Sequence, residues 1–405
     1  MEKVELQEAV RRNLQWFEES GVMEPPDGSW GVAERLSVAE GEALEKMKRA
    51  FPAWTTLPQG LVIEQRRADC NFETALLYKL AGEVLDDPEC DTVAGKILDF
   101  LYFRSGLLNR YDESFPAGGW RWSHIQWRPT VWFDDDAWCI FIQLALAKLD
   151  PALDTRYDLK KWARQLAGEL VPAMRRTFMA EDRRAPGEWH DPAGAWSGRL
   201  ELPHWGSLAV MALARAAQDS PDPAAAAEIR RYHGYLRENL EHFTTSEFAY
   251  AILGAASAYR VFGEAADLEL ARQAGELLLA KLDPETGNLP AEHYEAPTGG
   301  RLADTIYTLN WSFLALQMLD ELADDPRVRQ ARRLQAELLV SIQDRTPDPF
   351  FRGCWRGMYD LDKREWGGGD CFEGGAGSIY TGWTNAPISI GLLFESRRES
   401  LLSLF

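Results

Sequence analysis

The stretch EFAYAILGAASAYRVF (residues 247–262) decides the fold, because it is apolar on nearly every side when it is drawn as a helix. A helix of that kind is buried all round. A two-residue link, Gly263 and Glu264, joins it to a charged amphipathic helix over residues 265–282, which covers a core with one face only. The two together predict a hairpin made of one inner and one outer helix.

The same alternation of outer and inner helices extends along the whole chain. Helical periodicity predicts twelve helices, of which the odd-numbered ones are amphipathic and the even-numbered ones are apolar and rich in small residues. Six of each in strict alternation predict an all-α fold, an (α/α)6 toroid of six helical hairpins. No linker interrupts the pattern, so one domain spanning residues 1–405 is expected. The predicted helices lie near residues 3–20, 68–87, 90–105, 135–149, 156–178, 204–218, 222–242, 245–262, 265–282, 303–323, 326–343 and 383–395.

The links between these helices differ in length according to their direction. Those from an inner to an outer helix are short, whereas those from an outer to an inner helix are mostly long, so the long loops all emerge on one face of the toroid. Loops longer than about 12–15 residues are usually functional. Most of the 16 tryptophans lie in them, which predicts an aromatic-walled binding cleft, although long loops packed on themselves around tryptophan would give the same pattern. The long links cover residues 21–67, 106–134, 179–203, 283–302 and 344–382.

Composition and motif content exclude several classes of protein. The formal net charge of -19 argues against nucleic acid or an anionic membrane as the main partner. The N-terminus has no apolar signal segment, and no run approaches the roughly 18 apolar residues of a membrane helix, so a cytoplasmic protein without membrane contact is expected. The five cysteines and six histidines form no CxxC, HExxH or close HxH pattern. Free thiols are therefore predicted, with no metal and no cofactor, and the oligomeric state stays open.

Three consecutive aspartates stand in TVWFDDDAW (residues 130–138), at the start of the fourth helix and facing the predicted cleft. One carboxylate is enough to cap a helix N-terminus, and three in a row exceed that need. Crowding should raise the pKa of at least one of them, as a general acid requires. Asp134, Asp135 and Asp136 are therefore candidate catalytic residues for glycoside hydrolysis, which uses two carboxyl groups, while an over-provided helix cap is the alternative.

Two further loops carry candidate carboxylates. GRLADTIYTLNW (residues 300–311) puts Asp304 at the start of the tenth helix, either as a catalytic acid or as a helix cap. EWGGGDCFEGGAGSIYTGWTN (residues 365–385) is a glycine-rich loop in which Glu373 is a candidate catalytic partner for Asp135 across the cleft, with an ordinary flexible loop as the alternative. Other side chains of the long loops are candidates for substrate binding: Trp122, Trp127, Arg128, Trp132, His190, Trp196, Arg199, His204, Trp205, Tyr307, Asn310, Asp370, Tyr380 and Trp383.

The helical pattern as a whole resembles that of the six-hairpin glycosidases, a superfamily with sugar-processing sites at this end of the barrel. The motif DDDAW (residues 134–138) also resembles the DDNAW-like motif of glycoside hydrolase family 76, the α-1,6-mannanases. That resemblance implies that Asp134 is the nucleophile and that Asp135 is the acid/base, whereas Asp136 stands where the motif has asparagine.

The sequence favours a glycoside hydrolase that acts on oligosaccharides by carboxylate acid/base catalysis. Arginines in the long loops extend this expectation to uronic-acid-containing substrates, because arginine binds carboxylates bidentately; neutralisation of the surplus loop acids is the alternative. The other hypotheses are a sugar epimerase of the N-acylglucosamine 2-epimerase type, for which His204 is the only clear acid/base candidate, a terpenoid cyclase-like protein, and a non-catalytic sugar-binding barrel. The loop arginines are Arg104, Arg110, Arg121, Arg128, Arg199, Arg301, Arg352 and Arg356.

Overall fold

The inner and outer helices predicted from the sequence are present in the computed structural model, which describes residues 1–38, 40–125, 131–177, 196–292, 301–368, 375 and 377–405. Over these residues the chain forms fourteen α-helices. They are α1 (Lys3–Glu19), α2 (Gly41–Ala50), α3 (Ala68–Leu85), α4 (Pro88–Asp99), α5 (Phe133–Leu149), α6 (Pro151–Tyr157), α7 (Leu159–Thr177), α8 (Pro203–Asp219), α9 (Pro223–Asn239), α10 (Thr245–Phe262), α11 (Ala265–Ala280), α12 (Leu309–Ala323), α13 (Pro326–Ile342) and α14 (Ala386–Arg397).

Six of the helices form an inner ring. In chain order they are α3, α5, α8, α10, α12 and α14; each packs against the next, and α14 closes the ring on α3. Each inner helix also packs against one outer helix: α3 with α4, α5 with α7, α8 with α9, α10 with α11, α12 with α13, and α14 with α1. The predicted all-α (α/α)6 toroid is confirmed, and the first helix of the chain completes the last hairpin.

Side-chain size explains why the inner helices tolerate neighbours on both sides. The helix α10, which decided the fold prediction, is buried without interruption from Thr245 to Ala258. Its Gly254 faces α8 so closely that an added Cβ would lie 2.8 Å from the carbonyl oxygen of Ser207. Glycine at this position therefore lets the two inner helices approach each other backbone to backbone.

Short strands join the long loops to one another over one end of the ring. A four-stranded sheet has the order β2–β3–β1–β9 and so connects the loop before the first inner helix to the loop before the last one. A parallel pair, β4 and β5, and a three-stranded sheet, β6–β7–β8, join other loops. The strands are β1 (Arg35–Ser37), β2 (Trp54–Leu57), β3 (Gly60–Ile63), β4 (Val131–Trp132), β5 (Trp196–Ser197), β6 (Leu302–Asp304), β7 (Met358–Asp360), β8 (Glu365–Trp366) and β9 (Ser378–Tyr380).

Several boundaries differ from the sequence prediction. Residues 303–323 were expected to be one helix, but α12 begins only at Leu309, after the strand β6 and a turn. Similarly, a π-helical segment, Thr381–Asn385, precedes α14. The strands and the added helices α2 and α6 are short, so they present too few residues for a periodic pattern to reveal them.

Four of the five cysteines, Cys70, Cys90, Cys139 and Cys354, are free and buried, as predicted; Cys371 lies outside the described residues. Within the described ranges of the chain, no helix combines the length and the apolar character needed to cross a membrane.

Candidate functional site

A cavity of about 380 Å³ opens where the inner helices α5 and α8 begin, at the end of the ring that carries the long loops. Its size lies within the usual range of small-ligand sites, about 300–1,000 Å³. Its wall is mainly aromatic, with carboxylates, arginines and one histidine set into it. The lining residues are Glu34, Arg35, Ala50, Phe51, Arg67, Trp122, Trp132, Asp134, Asp135, His204, Trp205, Ile306, Tyr307, Tyr380 and Trp383.

The three consecutive aspartates separate into two environments. All three are buried in the first turn of α5. Successive helical residues diverge by about 100°, so three neighbours cannot share one direction. Asp134 and Asp135 line the cavity. Asp136 points towards the loop behind it, where its Oδ1 accepts the backbone N–H of Trp120 at 2.9 Å.

Asp134 contacts His204, the only histidine among the described residues that line the cavity. Its Oδ2 lies 2.9 Å from Nε2 of His204, in the first turn of α8. The ring of Trp383 stacks on His204 with centroids 5.7 Å apart, and Trp205 meets the imidazole edge-on at 4.8 Å. The other carboxylate oxygen of Asp134, Oδ1, has no hydrogen-bond partner among the described residues. This oxygen is buried, in a residue that lines the cavity.

Asp135 belongs to a buried cluster centred on Arg67, the residue before α3. The Nη2 atom of Arg67 donates to both oxygens of Asp135 at 2.8 Å. The same guanidinium donates to Asp69 at 2.8 and 3.2 Å and to Glu34 at 3.1 Å. Burial lowers the pKa of Arg67, but Asp135, Asp69 and Glu34 raise it further, and the net pKa lies well above its ordinary value. Arg67 is thus a permanent cation shared by three carboxyl groups.

The cluster holds more acid than this one arginine neutralises. Burial raises the pKa of the Asp135 carboxyl well above its ordinary value; Arg67 lowers it, and the charges of Asp69 and Asp134 raise it further. Burial also raises the pKa of Asp69 and, one helical turn further on, strongly that of Glu73. Both oxygens of Glu73 lack a hydrogen-bond partner among the described residues. Burial therefore favours the protonated form of these carboxyl groups, which is the property that a general acid needs.

A metal ion does not fit this cluster well, although Asp69, Cys70 and Glu73 present ligand atoms within 4.8 Å of one another. Arg67 already occupies both oxygens of Asp69. A guanidinium at hydrogen-bond distance repels a second cation. Gly382 packs directly on Cys70 and Glu73, so closely that a Cβ there would overlap them. The donor set is better described as an arginine-bound carboxyl cluster than as a metal centre.

Most of the residues that the sequence proposed as site residues meet at the cavity. Trp122, Trp132, Asp134, Asp135, His204, Trp205, Tyr307, Tyr380 and Trp383 all line it. Five other candidates, Trp127, Arg128, His190, Asp370 and Glu373, lie outside the described residues.

Besides Asp136, four candidates lie elsewhere in the described structure. Asp304 caps the turn before α12: its Oδ1 accepts the backbone N–H groups of residues 306 and 307, and its Oδ2 accepts the hydroxyl of Thr308. Asn310 donates to the carbonyl oxygens of residues 306 and 383 and so fixes the backbone behind the cavity. Trp196 stacks on Phe133 at 5.0 Å, and Arg199 lies close enough to Glu247 to lower its pKa.

The capping role of Asp304 gives a testable result. Asp304→Ala is expected to lower the free energy of unfolding by about 1–2 kcal/mol, because the turn before α12 loses the acceptor of its N–H groups. Urea denaturation measures this difference. Asp304→Asn keeps an acceptor oxygen in place and serves as the matched control. Loss of enzymatic activity in the alanine variant, with unchanged unfolding, would instead make Asp304 part of the chemistry.

None of the loop arginines that the structure describes lines the cavity, and Arg128 lies outside the described residues. Arg121 pairs with Asp112 at 3.3 Å, and Arg301 pairs with Asp283 at 3.0 Å. Arg352 and Arg356 likewise contact carboxylates, those of residues 19 and 344. These side chains neutralise loop acids, which was the alternative interpretation of the sequence. Among the described residues, the cationic side chains that line the cavity are those of Arg35 and Arg67, which the sequence analysis missed.

Arg35, Arg67 and Glu34 had only a weak signal in the sequence. Arg67 directly precedes the first inner helix, and the three aspartates stand at the start of the second. This equivalent position could have identified Arg67 as a site residue. Arg35 lies in β1, with its guanidinium carbon 4.8 Å from the ring centre of Phe51 and 4.6 Å from that of Tyr380. Only the sheet that joins the first and last long loops brings these residues to the cavity.

Comparison with known proteins places the fold in a class. No protein-family model matches the chain, and no curated protein sequence matches it either. Among solved structures, the chain has the fold of (α/α)6 barrels, and its structural neighbours are members of the six-hairpin glycosidase superfamily, as the helical pattern predicted. At 11–17% identity the likeness concerns the fold.

Three of these structures cover almost the whole chain. A cellobiose 2-epimerase from Spirochaeta thermophila is 11% identical with a TM-score of 0.64, over 98% of this chain and 97% of that chain. An unsaturated glucuronyl hydrolase from a Bacillus species is 17% identical with a TM-score of 0.59, over 97% of each chain. An α-1,6-mannanase from a Salegentibacter species, an inactive variant with two adjacent aspartates replaced by alanine, is bound to α-1,6-mannotetrose; it is 13% identical with a TM-score of 0.55, over 97% of this chain and 98% of that chain.

Proposed function

We propose that the protein is a sugar-processing enzyme, and more specifically a glycoside hydrolase that cleaves oligosaccharides in the 380 Å³ cavity. One observation carries the proposal: Asp134 and Asp135, adjacent in sequence, both present carboxyl groups to the same aromatic-walled cavity. Glycoside hydrolysis requires two carboxyl groups that flank the scissile bond. The inactive mannanase variant, with two adjacent aspartates replaced, supports the same pair.

The surroundings of the two carboxyl groups differ, and this difference supports a separate role for each. Burial raises the pKa of Asp135 and so favours its protonated form, which supports Asp135 as the group that donates a proton to the glycosidic oxygen as the C–O bond breaks. Asp134 lines the cavity, with Oδ2 in contact with His204 and Oδ1 without a hydrogen-bond partner among the described residues, and it acts as the carboxylate at the anomeric carbon. The flat faces of the cavity tryptophans and tyrosines bind the sugar rings.

A sugar epimerase is the second candidate, and one observation favours it. His204 lines the cavity in hydrogen-bond contact with Asp134, and such a pair is able to remove and return a proton next to a sugar carbonyl. The cellobiose 2-epimerase among the structural neighbours belongs to this reaction class. Epimerisation leaves the composition of the sugar unchanged, whereas hydrolysis adds water, so the products distinguish the two reactions.

The test is a mass-spectrometric screen of neutral and uronic-acid-containing oligosaccharides, incubated with the purified protein in D₂O. A hydrolase is expected to release shorter sugars without deuterium on carbon. An epimerase would give an isomer of the substrate that keeps one deuterium on carbon after return to H₂O. The Asp135→Asn variant is the control for contaminating enzymes. Absence of both products with every sugar would contradict the proposal of a sugar-processing enzyme.

A further inference from the structure

We infer that Glu247 is a positioning residue of this site, which acts through His204 and makes the reactivity of Asp134 depend on pH near neutrality. The inference rests on the proposed function, because it concerns the carboxylate that would meet the substrate. Glu247 itself stands behind His204 and outside the wall of the cavity, so it acts on the chemistry through its neighbour.

Three successive inner helices are connected through this residue. Glu247 lies in the first turn of α10 and is 1% exposed. Its Oε2 accepts the backbone N–H of His204, in the first turn of α8, at 2.7 Å. The ring of His204 in turn contacts Asp134, in the first turn of α5, at 2.9 Å. The chain of contacts therefore runs from α10 through α8 to α5 and ends at Oδ2 of Asp134, a residue that lines the cavity.

A purely structural role explains only part of this arrangement. The N-cap residue of α8, Leu202, has no side chain that could cap the helix, and Glu247 supplies the missing acceptor from the neighbouring helix. One oxygen is enough for that task. The other, Oε1, is buried without a hydrogen-bond partner among the described residues, which is costly for a carboxylate. A neutral side chain such as glutamine would cap the helix at lower cost, so the ionisable group points to a function.

The surroundings of Glu247 tune its ionisation to the neutral range. Burial raises the pKa of Glu247 to about 7, although His204 and Arg199 lower it. Glu247 in turn helps to raise the pKa values of two buried phenols, Tyr232 on α9 and Tyr250 on α10. The titratable and charged groups around this turn are His204 on α8, Arg199 before α8, Tyr232, Tyr250, Tyr307 before α12, and the Lys281–Glu292 pair that holds Thr245.

The direction of the effect follows from the charges. Above neutral pH, Glu247 is ionised, and the hydrogen bond that its Oε2 accepts from the His204 backbone N–H is charge-assisted and stronger, which fixes the residue whose ring contacts Asp134. Below neutral pH, Glu247 is neutral and this support is lost. We therefore expect kcat to rise with pH as Glu247 ionises.

The first test compares the pH profiles of kcat and KM for the wild-type protein and Glu247→Gln, on the substrate that the wild type cleaves. Glutamine keeps the acceptor for the His204 N–H and removes the charge. The wild type is expected to show an inflection in kcat near pH 7 that is absent in Glu247→Gln. At pH 8 the variant should be slower by about tenfold with little change in KM, because the group does not contact substrate. An unchanged profile would leave Glu247 a helix cap only and overturn the inference.

The matched control is Asp267→Asn. Asp267 on α11 is also a buried carboxylate in contact with a histidine, with Oδ1 2.7 Å from Nδ1 of His233 on α9, but it belongs to the outer helices. Its substitution is expected to leave the pH profile of kcat unchanged. Loss of the inflection in this variant too would mean that any disturbed buried carboxylate alters the profile, and it would overturn the specific role of Glu247.

A second measurement needs no substrate and so separates this inference from the proposed function. The chain has 6 histidines, and His204→Gln identifies the His204 imidazole signals in a ¹⁵N-histidine NMR spectrum. The ionisation of Glu247 is observed by ¹³C-carboxyl labelling of glutamate. In the wild type, the His204 signals are expected to shift as Glu247 ionises. In Glu247→Gln this shift is expected to be absent. If the protein processed no sugar, this coupling would still be testable. If the wild type hydrolysed a sugar but the His204 signals ignored Glu247, the inference alone would fail. The wild-type titration decides the matter even if Glu247→Gln does not fold.

Discussion

Asp135→Asn is expected to lower kcat for a cleaved oligosaccharide by about 10³-fold while the chain stays folded, because an amide has no proton to donate to the leaving oxygen. The asparagine oxygen still accepts from Arg67, so the contact that orients the side chain survives in part. Asp134→Asn should lose activity to a similar degree, since Asp134 also lines the cavity and is the proposed carboxylate at the anomeric carbon. Steady-state kinetics on the substrate found by mass spectrometry, with circular dichroism as the folding check, measures both effects.

The third aspartate provides the control for this experiment. Asp136→Asn changes the same group in the same helical turn, but its Oδ1 binds the backbone N–H of Trp120 on the far side of the helix. The asparagine oxygen preserves that hydrogen bond, so activity is expected to stay within about a few-fold of wild type. Equal losses in all three variants would indicate that the helix N-terminus as a whole was disturbed. Full activity of Asp135→Asn would exclude it as the proton donor.

The fold could be predicted from the sequence because its determinants are local and repeated. An inner helix such as α10 is apolar over every turn, and its outer partner α11 is apolar on one face; this contrast recurs along the chain. The loop strands could not be predicted, because β4 and β5 have two residues each and form only where distant loops meet. Hydrophobic periodicity has no information about such contacts.

The part of the site that could be predicted consists of reactive residues that stand together in short sequence motifs. The aspartates, His204 and Trp383 stood out by type and position, and the structure brings them together. The centre of the cluster did not stand out, because Arg67 contacts Glu34 and Asp135 across 33 and 68 residues of sequence. Conversely, Asp304 looked catalytic because a helix cap and an acid at a cleft have the same sequence pattern; its three local hydrogen bonds distinguish them only in the structure.

Arg67→Gln is expected to lower the free energy of unfolding by about 3–5 kcal/mol at pH 8, because removing one partner of a buried ion cluster leaves the other charges uncompensated. Glu34, Asp69 and Asp135 would all lose their cation. The loss should be smaller at pH 5. Burial already raises the pKa of Asp69 and Asp135 in the folded chain, and without Arg67 both pKa values rise further. Because the unfolded chain then releases these protons at lower pH than the folded chain, stability falls as pH rises, and it falls more steeply in the variant. Urea denaturation at the two pH values measures the loss of stability and its dependence on pH.

An exposed arginine with similar contacts separates burial from ion pairing in this experiment. Arg156 binds Asp99 through two hydrogen bonds from Nη2, at 2.8 and 3.0 Å, but its side chain is 59% exposed. Arg156→Gln is expected to leave the free energy of unfolding nearly unchanged at either pH, since solvent screens exposed pairs. If Arg67→Gln were as mild, the cluster of Glu34, Asp69 and Asp135 would hold no negative charge that depends on Arg67 in the wild type. A large and pH-dependent loss would mean that Arg67 balances negative charge in the cluster of Glu34, Asp69 and Asp135 and so permits Asp135 to stand beside Asp134.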